Sequence, residues 1–69
     1  MPFTWRYETR DGSPATGAGL PRERFPTQAD AETWIGESWR DLLDDGVDQV
    51  TLLEGDRVVY GPMSLHPAQ

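Results

Sequence analysis

Between Thr27 and Gly46 the chain is patterned for a single helix, and the stretches on either side are patterned for strands. Thr27 suits an N-cap, and Asp30 at the third helical position completes a capping box with Asp in place of Glu. At about 100° per residue, Ala31, Ile35, Ser38 and Leu42 share one arc, with Trp34 and Trp39 bordering it on its two sides. The helix is expected to run to Leu43 or Asp45 and to stop at Gly46, a natural C′ residue. In a chain of 69 residues, that one helix has to cover whatever sheet the flanking strands build.

The clearest strand precedes it. Phe3, Trp5, Tyr7 and Thr9 alternate with Thr4, Arg6, Glu8 and Arg10, so one face is aromatic and the other charged. Asp11-Gly12 is turn chemistry, and residues 11–21, rich in glycine and proline, read as a flexible loop. Residues 22–25, "RERF", bounded by Pro21 and Pro26, are predicted as a short edge strand. After the helix, "VDQVTLL" and "RVVYG" form a hairpin. A two-residue Gly55-Asp56 turn sets Glu54 opposite Arg57, whereas a three-residue Glu54-Gly55-Asp56 loop shifts the register by one. Gly61-Pro62 is expected to end the last strand, leaving 63–69 as a tail whose Met63 and Leu65 are able to pack.

These elements give one domain, 1–69, of class α+β. Its antiparallel sheet has three to four strands in the order β-β-α-β-β, with the helix packed on one face. The predicted core is Phe3, Trp5, Tyr7, Ile35, Leu42, Val50, Leu52, Val58 and Tyr60.

The run "FPTQADAETW", followed by a helix, a glycine, a hairpin with a glycine-containing turn and "YG", resembles small bacterial domains of unknown function. Those domains share a two-strand, helix, two-strand layout, and the pattern spans Trp5 to Gly61. The resemblance implies a fold and transfers no functional residue. Arginine without lysine, among many Asp, Gly, Ala and Pro, also matches the usage of a GC-rich bacterial genome.

Composition narrows the function. The net charge of −6, with six arginines as the only Lys or Arg residues, disfavours direct binding to nucleic acid or anionic lipid. Without lysine there is no Schiff-base chemistry and no P-loop lysine. Without cysteine there is no disulfide or thiolate site, which is consistent with a cytoplasmic protein. The N-terminal residues hold no apolar signal core, and no apolar run is long enough to span a membrane.

Asp41, Asp44, Asp45 and Asp48 surround Gly46 but fail as a calcium loop. Aligning Asp41, Asp45 and Gly46 with that motif puts Leu43 at a ligand position and Leu52 where a bidentate Glu belongs. His66 lies near the end of the chain, where a catalytic base lacks an orienting partner. Ser13, Ser38 and Ser64 have no adjacent base in sequence. "GAGLPRER" is only part of a nucleotide loop. No metal, no cofactor and no enzyme activity are expected.

Two features of the helix point outward. Gly36 costs about 1 kcal/mol relative to Ala in a helix interior and lies away from the buried arc. With Ala29 and Leu43 it makes a smooth stripe beside Trp39. Aspartates at the carbonyl end of a helix oppose its dipole at about 0.3–1 kcal/mol each, and with Asp30 and Glu37 they form an acidic ridge. The expected interaction surface is Gly36, Glu37, Trp39, Asp41 and Asp44, and the expected partner a basic protein or a second copy in a homodimer. The alternatives are an acidic mimic of nucleic acid, regulating a DNA- or RNA-binding protein, and a small-ligand binder with an aromatic cleft beside Trp34 or Trp39.

Overall fold

A computed structural model describes residues 2–15, 20–21 and 23–66. Its elements are β1 (Phe3–Glu8), α1 (Gln28–Asp44), β2 (Gln49–Glu54) and β3 (Arg57–Ser64). The strands form one antiparallel sheet in the order β1-β2-β3, with β2 in the centre. The fold is α+β, a three-stranded sheet with one helix on one face.

Both ends of α1 follow from its sequence. The Thr27 hydroxyl accepts from the Asp30 N–H at 3.1 Å. Among the described residues the return bond of a capping box is not made, so Asp30 contributes only its charge near the helix start. At the other end Gly46 takes φ +99°, its N–H donates to Leu43 O, and the Val47 N–H donates to Leu42 O. These two bonds define a Schellman cap, in which an apolar contact between the flanking residues is usual. Val47 and Leu42 supply it, both fully buried in the core.

The helix-facing side of the sheet is set by register. Trp5, Leu52 and Tyr60 lie in line across the three strands, and the rings of Trp5 and Tyr60 meet edge to face at 6.1 Å over Leu52. The Trp5 indole N–H donates to the Ala31 carbonyl at 3.0 Å, which ties the first strand to the helix and satisfies a buried donor. The buried core is Trp5, Ala31, Ile35, Leu42, Val47, Val50, Leu52 and Leu65, with Phe3, Tyr7 and Tyr60 partly buried against it.

Three expectations are corrected. The strand predicted at 22–25 is a single antiparallel bridge, in which Phe25 exchanges two backbone bonds with Phe3. Prolines on both sides leave too little chain to propagate a ladder, and Arg22 lies outside the described residues. Pro62 does not end β3, which runs on to Ser64 with Met63 opposite Val50. Leu65 of the tail packs into the core, as the sequence reading allowed; residues 67–69, like residues 16–19 of the 11–21 loop, lie outside the described residues. Val58 is 50% exposed. The hairpin takes the two-residue turn, with Glu54 opposite Arg57, so Val58 falls opposite Leu53 on the helix-free side. A register shift then adds Val59 and returns Tyr60 to the helix side.

The two edges of the sheet differ. The outer edge of β1 is covered at Phe3 by Phe25, and at Tyr7 by Ala15, whose N–H donates to Tyr7 O. The edge of β3 has no such cover among the described residues. It carries Arg57, Pro62 and two register shifts, features that discourage pairing with another strand.

Candidate interaction groove

Where α1 passes the end of β3, the layers do not close. Ile35, Gly36 and Trp39 on the helix, and Met63, Ser64 and Leu65 on the last strand and the residue after it, line an open groove of about 290 Å³. Gly36 makes the helical wall low. A Cβ built on it would meet nothing within 4 Å, so packing among the described residues does not demand glycine there. The β3 wall is fixed by the opposite situation at Gly61, at φ +124°, where a Cβ would come within 2.9 Å of Thr51 Cα. Close backbone contact there holds the segment leading to Met63 against β2.

The interaction residues expected from sequence divide into two groups. Gly36 and Trp39 line the groove. Glu37, Asp41 and Asp44 are exposed on the helix, but at about 100° per residue they lie about 80–140° round from Gly36. The groove and the ridge are therefore neighbouring strips of one helix. The sequence reading missed Met63, Ser64 and Leu65, although the alternation of Met63 and Leu65 beyond Pro62 carried the signal of a continuing strand.

Charged groups stand at both ends of the groove. Glu32, one turn before Gly36, accepts from Gln28 Nε2 at 2.8 Å and reaches Tyr60 of β3. Burial first, and then the Glu32 charge, push the Tyr60 hydroxyl above its usual pKa. Beyond Trp39 the last turn of α1 has no basic residue and leads through Asp44 to the cap residue Asp45. The Arg40 guanidinium lies 5.1 Å from the Trp39 ring centroid, a cation–π contact that leaves its charge beside the indole.

His66 has a partner after all. Its Nε2 is 2.8 Å from Asp48 Oδ1, and Asp48 Oδ2 accepts from the Arg10 N–H at 2.9 Å. The hydrogen bond to His66 is the main reason the Asp48 carboxyl is held below the usual carboxylate range. Ser64 is nearby, but its hydroxyl accepts from the His66 backbone N–H at 3.1 Å. No bond joins it to the imidazole, so this Ser-His-Asp trio lacks the contact that would activate a nucleophile. Among the described residues no cluster of three or more metal-ligating side chains occurs, and no helix is long and apolar enough to cross a membrane.

On the helix-free face, Glu8 is buried between Arg6 Nε at 2.7 Å and Gln49 Nε2 at 3.0 Å. That cross-strand cluster neutralises the first strand's charge internally.

No family model, no curated protein and no solved structure matches the chain.

Proposed function

We propose that the protein is a non-enzymatic interaction module that presents the outer side of α1 to a basic partner protein. The observation that carries this reading is the distribution of charge. Residues 28–45 hold six carboxylates and one arginine, a net −5, whereas the other residues hold six carboxylates and five arginines, a net −1. Nearly all the excess charge belongs to the helical layer, which also bears the groove. A basic partner is drawn to that layer by long-range attraction.

The test is retention of proteins from a host lysate by the wild-type chain and by the variant Glu37→Lys, Asp41→Lys, Asp44→Lys, at low and high salt. A basic protein held by the wild type, lost from the variant and released by salt is the expected result. Identical retention by both chains, or none by either, overturns the reading. Displacement of the retained protein from DNA or RNA would move the assignment to an acidic nucleic-acid mimic.

A further inference from the structure

Building on that reading, we infer that the groove between α1 and the end of β3 receives one large apolar side chain from a partner segment carrying a basic residue beside it, on the side of Glu32. The lining is mainly apolar, and Met63 is 38% exposed. Burial of such surface is favourable at about 25 cal/mol per Å². A volume of about 290 Å³ lies just below the range of small-molecule pockets, about 300–1,000 Å³, and suits a side-chain anchor better than a whole metabolite.

Charge selects the flank. Glu32, one turn before Gly36 and about 40° round from it, stands at one end, while at the other Arg40 lies 5.1 Å from the Trp39 ring and Asp44 belongs to the ridge, about 80° round. An apolar anchor with Arg or Lys on the Glu32 side meets that carboxylate and keeps its own charge away from Arg40. Partner and groove then match in the centre by burial and at the rim by charge, the usual anatomy of an interface.

The other occupants fit less well. A second copy docked helix to helix would bring two layers of net −5 together, which charge repulsion opposes. A strand added along β3 would meet Pro62 and two register shifts, which break the ladder it needs. The partner segment therefore docks through its side chains.

The experiment is selection of a random linear-peptide library of about 12 residues, about 18 Å long as a helix, against the wild-type chain. Enriched peptides are then measured by fluorescence anisotropy against two groove variants, Gly36→Leu and Met63→Glu, and the ridge variant Glu37→Lys, Asp41→Lys. Both groove positions are exposed, and circular dichroism verifies folding. The expected result is a consensus of one large apolar residue with Arg or Lys on one side of it, binding at least about tenfold more weakly to either groove variant, as loss of an apolar pocket contact predicts.

Basic peptides that bind both groove variants as well as the wild type, and weaken only on the ridge variant, overturn the groove assignment while leaving the basic-partner reading intact. Enrichment of peptides lacking basic residues overturns both, as does no enrichment at all. Dimerisation seen by sedimentation that Gly36→Leu abolishes would give the groove to a second copy and overturn the inference.

Discussion

Trp34 and Trp39 sit on the same helix, five residues apart, and both are partly buried, yet their surroundings differ. Trp34 packs against Phe25, with ring centroids 5.4 Å apart, on the flank where the chain returns to bridge β1. Trp39 faces the end of β3, where among the described residues no aromatic ring pairs with it and a groove remains. The difference arises from the strands rather than the helix. On one side an extra segment covers the sheet edge; on the other the edge strand shifts register and Gly36 supplies no side chain. One flank of α1 is closed by packing, and the other leaves apolar surface open.

The sharpest way to break this contrast is at Gly61. Gly61→Ala puts a Cβ 2.9 Å from Thr51 Cα at φ +124°, combining overpacking with backbone strain. It is expected to cost about 3 kcal/mol or more, read by urea denaturation. A cost below about 1 kcal/mol would show that the β3 wall is not held by this contact.

The tryptophans come next. Trp34→Ala should destabilise by about 2 kcal/mol and Trp39→Ala by about 1, because only the first removes an aromatic partner. Equal losses in thermal unfolding would mean that the two flanks are energetically alike.

Tyr7 belongs to the closed flank, where its hydroxyl donates to the Pro21 carbonyl at 2.6 Å. Tyr7→Phe should cost about 1 kcal/mol. Burial first, and then Glu23, push the Tyr7 hydroxyl up to about 12 from 10.0. A raised value favours the neutral form in the folded state. The associated stability is therefore complete below pH 10 and is lost as pH rises towards 12. The variant should flatten stability across that window, and an unchanged alkaline slope would remove Tyr7 as its cause.

The smallest effect is a gain. Gly36→Ala meets open space and should stabilise by about 0.5–1 kcal/mol through helix propensity. Destabilisation instead would mean that the flank beside Trp39 is already filled.

Much of this was legible in the sequence because it is local. The period of two in Phe3, Trp5 and Tyr7 and the stop at Gly46 depend on neighbouring residues alone, and both appear in the fold as read. Of the predicted buried arc, Ala31, Ile35 and Leu42 are buried, while Ser38 is half-buried. Val58 was misplaced because turn length, undecidable from "EGD", sets which face it takes. Met63 and Leu65 were read as packing residues of a tail, not of a strand, because a Gly-Pro pair normally ends a strand, and only the close packing of Gly61 on Thr51 shows why this one continues. Gly36 and Trp39 were singled out by helical geometry, but their groove also needed a wall from the end of β3, a contact between distant segments that no local pattern encodes.

The uneven charge also acts before any contact is made. At physiological ionic strength a charge is screened over about 8 Å, while the molecule measures 31 × 24 × 21 Å. An approaching body thus responds mainly to the layer nearest it, with a net −5 on one side and −1 over the remainder. A positively charged surface exerts a torque that turns the helix towards it during diffusion. Added salt should erase that orientation before it erases the apolar fit, so the encounter rate should fall earlier than the lifetime of the complex.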